Sequence, residues 1–172
     1  MPDYKRIWLP GGTYFFTVNL ADRSSDLLIR HAELLRHAVR RTREAHRFEI
    51  VAWAVLPDHM HAIWTLPPDD HDYALRWRAI KAIFSRGLPR DESTPTQRVA
   101  RGERGIWQRR YWEHTIRDDR DLENHINYVH FNPVKHGHVT KIEDWPFSSF
   151  HRYRQRGTLP ANWANPDDLD LS

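Results

Sequence analysis

The run of residues 54–66 most constrains how this chain can fold, because it sets two histidines inside an otherwise apolar segment. Pro57-Asp58 is typical of a turn, and the residues after it form a strand-like pattern. Because strand side chains alternate between faces, His59 and His61 point to one side and Met60 to the other. A lone buried histidine is usually a hydrogen-bonded core residue, whereas two imidazoles on one face can hold a metal ion. The pair alone leaves both interpretations open.

Length and composition limit the class of protein. A chain of 172 residues suits one domain with a core of its own, and we expect a single domain over residues 1–172. The sequence has no cysteine, which excludes disulfides, thiolate nucleophiles and cysteine-based metal sites and favours a reducing compartment. No apolar run reaches membrane-spanning length, and the first residues lack a signal-peptide core. We therefore expect a cytoplasmic protein without membrane contact.

Basic and aromatic residues indicate a class of partner. The chain carries 26 lysines and arginines against 23 acidic residues, and most of the basic ones are arginine. Eight tryptophans and six tyrosines accompany them. Single-stranded nucleic acid requires positive charge for its backbone and flat side chains for its bases. Aromatic residues also dominate protein cores, so many of these side chains are expected to be buried.

The order of the predicted elements indicates an α+β fold. The predicted order is strand, helix, strand, strand, helix, strand, helix. This is the ferredoxin-like, or split βαβ, order, with an antiparallel sheet, helices on one face and one additional helix. Residues 87–105 form a polar loop without periodicity, and the tail from about residue 165 is acidic. The predicted strands are 13–20, 48–56, 59–66 and 106–116. One long helix is predicted to begin at Ser25 or Asp26, a second helix after residues 67–70, and a third at Asp118-Asp119.

The last predicted helix carries a polar face. Tyr128 and Asn132 are four residues apart, so a helix projects the phenol and the carboxamide together. Pro133 disfavours helical geometry at Asn132 and favours a helix end there. An isolated tyrosine is more often packed at an edge or at the surface than functional. The apolar stripe expected to face the core consists of Leu122, Ile126 and Val129.

Together these residues resemble a known family. A His-hydrophobe-His strand, with a tyrosine and a carboxamide four residues apart on a helix, resembles the single-tyrosine HUH nucleases and transposases. Four segments resemble the REP-associated tyrosine transposases of bacteria in the same order, over about residues 4–153. They are Leu-Pro-Asp-His-Met-His, Trp-Glu-His-Thr-Ile-Arg, Tyr-Val-His-Phe-Asn-Pro-Val-Lys-His-Gly and Asp-Trp-Pro-Phe-Ser-Ser-Phe-His.

The resemblance implies a mechanism. His59, His61 and Asn132 would hold one divalent ion, and Tyr128 would be the nucleophile that forms a 5′-phosphotyrosine. Two nitrogens and one amide oxygen suit Mg²⁺ or Mn²⁺, and the imidazoles favour Mn²⁺. The implied substrate is single-stranded DNA with a REP-type hairpin, which is cleaved and rejoined without ATP. A monomer is favoured, and a dimer stays open.

Further residues are candidates for accessory roles. His114 is the main rival metal ligand or proton carrier, although it can equally be an ordered histidine of the sheet. His125 could orient the phenol or the phosphate, and Lys135 lies next to the predicted site. The candidate DNA contacts are Arg109, Arg110, Arg117, Arg152 and Arg154, with Trp8 and Trp112 as stacking platforms, although exposed arginines are usually only solvated.

Two other functions remain open at this point. One is a hairpin-binding module that does not cleave nucleic acid. The other is a metal-dependent hydrolase that uses His59, His61 and His114 with bound water. The acidic end, which holds Asp167, Asp168 and Asp170, could also fold back over a basic cleft as a DNA mimic.

Overall fold

A four-stranded antiparallel sheet is the centre of the molecule. The structure, a computed structural model, describes residues 9–90 and 105–157. The strands lie side by side in the order β2-β3-β1-β4, so the two histidines belong to an inner strand. The four strands are β1 (Thr13–Asn19), β2 (Glu49–Val55), β3 (His59–Thr65) and β4 (Trp112–Thr115).

Helices cover both faces of this sheet, and the α+β, ferredoxin-like prediction with one additional helix is confirmed. The helices are α1 (Leu27–Arg30), α2 (Ala32–Ala45), α3 (Tyr73–Gly87), α4 (Asp119–Lys135) and α5 (Phe150–Gln155), with a 3₁₀ turn at Ile142–Asp144. No helix in the described ranges is long and apolar enough to cross a membrane.

The predicted hairpin between β2 and β3 is confirmed. The backbone N–H of Leu56 donates to the carbonyl of His59 at 2.8 Å, which closes the turn at Pro57-Asp58. The carbonyl of Asp58 accepts a bond from the N–H of Leu20 at 2.8 Å, which ties the turn to the end of β1. His59 is therefore fixed at the start of β3.

The alternation along β3 separates two layers of side chains, as expected. Met60 and Trp64 belong to the larger apolar cluster, which lies between the sheet and helices α2 and α3. Ile63 belongs to the other cluster, together with Phe15 and the Val129 side chain of α4. His59 and His61 share the face of Ile63, so both histidines point toward α4.

Three local predictions are corrected. The long helix predicted from Ser25 or Asp26 is broken at His31, whose φ of −116° and ψ of 39° are not helical. The strand predicted over 106–116 is regular over four residues, Trp112–Thr115. The helix end predicted at Asn132 is wrong, because α4 continues through Pro133, and His136 N–H still donates to the Asn132 carbonyl at 3.0 Å. One missing N–H donor is tolerated there because the next turn keeps its bonds.

Parts of the sequence predictions lie outside the described residues. These are Trp8, most of the polar loop and the acidic tail. Gly87, about where the loop was predicted to begin, is the last residue of α3.

Candidate active site

His59 is held by a carboxylate next to it in the chain. Its Nδ1 lies 2.8 Å from Oδ1 of Asp58, and Oδ2 of Asp58 accepts a bond from Nε of Arg23 at 2.6 Å. Burial by itself would raise the pKa of Asp58, but the bonds from Arg23 and His59 lower it below its usual range. Asp58 therefore stays ionised and fixes the imidazole with Nε2 as the remaining ring nitrogen.

His61 is held in the same way by a hydroxyl. Its Nδ1 lies 2.9 Å from Oγ1 of Thr17, the residue directly opposite on β1. The His59 and His61 rings are 5.0 Å apart at 83°. Both Nδ1 atoms are thus engaged, and both Nε2 atoms remain as the candidate donors to a ligand.

The Nε2 atom of His61 lies next to an amide that also lacks a partner. His61 Nε2 and both Oδ1 and Nδ2 of Asn132 are buried, and none makes a hydrogen bond within residues 9–90 and 105–157. Burial above all, then the charges of His59 and His136, lowers the pKa of His61 to about 3, while Asn132 acts in the opposite direction. Unsatisfied buried polar atoms are costly unless something binds them. This donor set of imidazole nitrogen and amide oxygen fits a divalent metal ion.

Tyr128 projects from α4 toward the same histidine. Its ring centroid is 5.3 Å from that of His61 and 5.8 Å from that of Phe15, nearly edge-on to both. Nζ of Lys135, two turns further along the helix, is 4.8 Å from the centre of the tyrosine ring. The tyrosine, the amide and a positive charge therefore share one side of α4, facing the two histidines.

His114 and His125 form a second cluster around Asp121. Oδ2 of Asp121 lies 2.9 Å from Nε2 of His114, and Oδ1 lies 3.1 Å from Nδ1 of His125. The two imidazoles are stacked at 4.6 Å and 15°. One ligand atom from each of His114, Asp121 and His125 lies within 4.8 Å of the others, a spacing compatible with a metal site. Phe15 stands between this cluster and His61, with its ring 4.9 Å from His125 and 5.6 Å from His61.

This arrangement separates the predicted site residues into two groups. His59, His61, Asn132, Tyr128 and Lys135 come together, whereas His114 and His125 bind Asp121, one ring away. The pKa of Asp121, which burial would raise, is lowered by the Arg117 N–H and by His114. The cluster thereby ties β4 to the first turn of α4.

The predicted DNA contacts have different surroundings. Trp112 is exposed to 56% and lies opposite Thr17, which itself lies opposite His61, so the three form one row across β4, β1 and β3. Arg109 and Arg110 are exposed just before that tryptophan.

The remaining predicted arginines are bound within the protein. Arg117 lies 3.6 Å from the Asp121 carboxylate, and Arg154 pairs with Glu143. Arg152 donates to the carbonyls of Ile50 and Val51 in β2, at 3.1 and 3.2 Å.

Sequence reasoning missed three residues at the site. Asp58 and Thr17 fix the histidines, and His136 lies with its ring 5.1 Å from that of His59. The role of Asp58 could have been predicted from its position directly before His59, because metal-binding histidines usually donate their second N–H to a carboxylate or carbonyl. Thr17 and His136 lie beside His59 and His61 because of strand register and helix packing, which a local sequence pattern does not predict.

Comparison with known proteins places this geometry in a family. The family described as "Transposase IS200 like" matches residues 14–132, which include both histidines, the tyrosine and the amide. The chain belongs to this family. Its members are tyrosine transposases, enzymes that cleave and rejoin DNA.

The relatives are similar along nearly their whole length. A REP-associated tyrosine transposase of Escherichia coli (strain K12) is 48% identical over 172 residues, covering 100% of this chain and 96% of the relative. A putative one from Haemophilus influenzae (strain ATCC 51907 / DSM 11121 / KW20 / Rd) is 44% identical, covering 99% and 98%. A solved REP-associated tyrosine transposase bound to a REP hairpin matches with a TM-score of 0.83 and 48% identity, covering 95% of this chain and 92% of that one. This transposase is therefore a REP-associated member of the family.

Proposed function

We propose that this transposase cleaves single-stranded DNA beside a REP-type hairpin through a 5′-phosphotyrosine on Tyr128. The observation that carries the proposal is that Nε2 of His61 and the amide of Asn132 are buried without a hydrogen-bond partner among the described residues, while the Tyr128 ring lies edge-on to the His61 ring. Such a place can hold a phosphate oxygen and a phenol oxygen side by side.

His59, His61 and Asn132 would hold one Mg²⁺ or Mn²⁺ ion. Two imidazoles and one amide leave room for water and phosphate oxygen, and the nitrogen ligands favour Mn²⁺. Bound there, the ion would polarise the scissile phosphate and offset its developing charge.

The protein's own groups account for the remaining steps. Asp58 and Thr17 orient the imidazoles before substrate arrives, which lowers the cost of assembling the site. The Tyr128 phenol gives up its proton to water as its oxygen attacks phosphorus. The bond from phosphorus to the 3′-oxygen breaks, and that oxygen takes up a proton from water. The Lys135 ammonium, 4.8 Å from the tyrosine ring centre, stabilises negative charge on the attacking oxygen. A 3′-hydroxyl can reverse the reaction, because the phosphotyrosine keeps a phosphodiester bond.

The DNA partner is inferred from the relatives and from one edge of the sheet. The similar solved transposase is bound to a REP hairpin. We assign the single strand beside the hairpin to the β4 edge, where exposed Trp112 offers a stacking surface and Arg109 and Arg110 offer charge. His114 and His125 act by fixing α4. We propose that the protein works as a monomer in the cytoplasm, which suits a chain without cysteine.

The test is to trap the covalent adduct. Hairpin DNA with a single-stranded flank, labelled at its 3′ end because a 5′-phosphotyrosine keeps that fragment, is incubated with Mn²⁺ and resolved on a denaturing gel. A labelled protein band that Tyr128→Phe abolishes and Tyr153→Phe preserves supports the proposal, and mapping of the labelled peptide identifies the tyrosine. Binding without an adduct favours the non-cleaving module. Cleavage that survives Tyr128→Phe favours metal-dependent hydrolysis without a phosphotyrosine.

A further inference from the structure

Three side chains that can bind a metal ion meet where β4 packs against the first turn of α4. We call His114, Asp121 and His125 the Asp121 cluster. Among the described residues, it is the one group of three histidine and acidic side chains whose ligand atoms all lie within 4.8 Å of one another. His114 belongs to β4, whereas Asp121 and His125 are four residues apart on α4 and share one helix face. Two nitrogen atoms and a carboxylate from two elements therefore converge.

The spacing of the ligand atoms is close to the spacing around one bound ion. Nε2 of His114 is 2.9 Å from Oδ2 of Asp121, and Nδ1 of His125 is 3.1 Å from Oδ1. Ligands at about 2.0–2.1 Å from a tetrahedral zinc ion lie about 3.3 Å from one another. An ion can therefore replace the protons that now hold the two imidazoles to the carboxylate.

The carboxylate of Asp121 is already charged and fixed. Its side chain is 10% exposed, and Oδ2 accepts the backbone N–H of Arg117 at 2.9 Å. The backbone N–H of Asp121 donates to Oδ1 of Asp118 at 2.8 Å, which anchors the residue in the first turn of α4. Burial alone would raise the pKa of Asp121, but the Arg117 N–H and His114 lower it below its usual range. The carboxylate can bind a cation without first losing a proton.

The two imidazoles leave room for an ion and for water. The side chains of His114 and His125 are 26% and 25% exposed, whereas His59 and His61 are buried. A metal ion prefers to lie near the plane of an imidazole ring, so binding turns one ring out of the present stack. His125 also gives up the contact of 2.8 Å between its Nδ1 and the Asp121 carbonyl. Water from the open side completes the coordination.

The nearest positive charge does not close the cluster. Nε of Arg117 is 3.6 Å from Oδ2 of Asp121, and the arginine side chain is 76% exposed. An exposed pair of this kind contributes little energy, so the guanidinium can turn into solvent when a cation binds.

The ligand atoms select the kind of ion. Two imidazole nitrogens and one carboxylate oxygen suit Zn²⁺, whereas Mg²⁺ prefers a shell of oxygen atoms. The cluster is also separate from the site of His59 and His61. The Phe15 ring lies between them, 4.9 Å from the ring of His125 and 5.6 Å from that of His61. The two sites therefore share no ligand.

We propose that the Asp121 cluster is a second metal site, which binds one Zn²⁺ ion and fixes α4 against β4. The proposal goes beyond the cleavage mechanism, because this ion takes no part in phosphoryl transfer. Tyr128 follows His125 by three residues on the same helix. An ion that links the first turns of α4 to the sheet therefore holds the part of the helix from which the tyrosine projects.

The test uses Co²⁺ as a spectroscopic substitute for Zn²⁺, in a variant without the first pair of histidines, His59→Ala/His61→Ala. This variant should bind one equivalent of Co²⁺ with d–d absorption bands, and Zn²⁺ should displace it. Adding His114→Ala should weaken binding more than about 100-fold, because even the loss of a supporting group costs about 10–100-fold. Adding His37→Ala instead, at an exposed position of α2, is the matched control and should leave binding unchanged.

Thermal melts give a second measurement. Zn²⁺ at about a hundredfold excess over its dissociation constant should raise the melting temperature of His59→Ala/His61→Ala by about 5 °C or more. The added His114→Ala substitution should abolish this shift.

The outcomes decide whether the cluster binds metal. If His59→Ala/His61→Ala binds no Co²⁺, or binds it equally well after His114→Ala, the cluster is only a hydrogen-bonded network and the proposal is overturned. Circular dichroism checks that each variant is folded. If His59→Ala/His61→Ala does not fold, the stoichiometry of the wild-type protein decides instead. A loss of one equivalent of Co²⁺ in His114→Ala alone then supports the second site, and an unchanged stoichiometry overturns it.

Discussion

The Nδ1 atom of His59 lies 2.8 Å from Oδ1 of Asp58, its neighbour in the chain, and this contact fixes which ring nitrogen faces α4. The carboxylate is itself held by Arg23 and is 15% exposed. The site is thus built from a turn residue as well as from the strand that follows it.

Replacing Asp58 should weaken metal binding while leaving the fold intact. Loss of such a supporting group typically costs 10–100-fold in metal affinity, so we expect a drop of about that size for Asp58→Ala. Mn²⁺ titration followed by electron paramagnetic resonance measures it. Asp26→Ala, which removes an exposed carboxylate paired with Arg30, is the control. Equal affinities for Asp58→Ala and wild type would show that the carboxylate does not orient a ligand.

Thr17 should act on His61 as Asp58 acts on His59. Thr17→Val keeps the shape of the side chain but removes the hydroxyl 2.9 Å from Nδ1, so we expect weaker Mn²⁺ binding by roughly tenfold. Thr13→Val is a matched control, because Thr13 bonds to Thr65 on the same two strands, away from the histidines. A similar loss in both variants would assign the effect to the sheet rather than to His61.

Arg76 is the buried charge on which the loop before α3 depends. It is 1% exposed and donates to the carbonyls of His46, Arg47 and Asp72 and to the carboxylate of Asp70. We expect Arg76→Met to lower the free energy of unfolding by about 3 kcal/mol. Urea denaturation measures the change. Arg41→Met, which breaks an exposed pair with Glu44, should cost less than about 1 kcal/mol.

Two buried histidines should make the metal-free protein sensitive to mild acid. Burial first, and then the charges of Arg152 and His151, lowers the pKa of His130 to about 3, and the pKa of His61 is also about 3. Below pH 6.5, the usual pKa, the unfolded chain binds protons that the folded chain does not, so stability is lost from there down toward pH 3. Each histidine contributes up to about 1.4 kcal/mol per pH unit.

Thermal melts at pH 7 and pH 5 measure this loss. His130→Gln should lower stability at pH 7, because Nε2 of His130 bonds to Ser149 Oγ at 2.7 Å. The same variant should reduce the difference between the two pH values. His37→Gln, at an exposed position of α2, should leave that difference unchanged. An undiminished pH difference in His130→Gln would rule out His130 as its source.

Local patterns predicted most of the fold because they depend on neighbouring residues. Alternation gave β3 and the shared face of its histidines, and turn chemistry gave the hairpin at Pro57-Asp58. The predictions were wrong where packing outweighed local preference. His31 breaks a stripe that continues in sequence, and Pro133 stays helical because it is buried between well-bonded turns.

By itself, the sequence determined that His59 and His61 share a face and that Tyr128 and Asn132 share another, since strand and helix periods are properties of the backbone. Tertiary structure decided that these two faces meet. Sheet order brings Thr17 opposite His61, and the packing of α4 buries the Asn132 amide and Nε2 of His61 without a hydrogen-bond partner among the described residues. The same packing places His114 against Asp121 and leaves arginines of α2 lining an open groove. Contacts between distant segments depend on strand register and helix packing, which a short stretch of sequence does not determine.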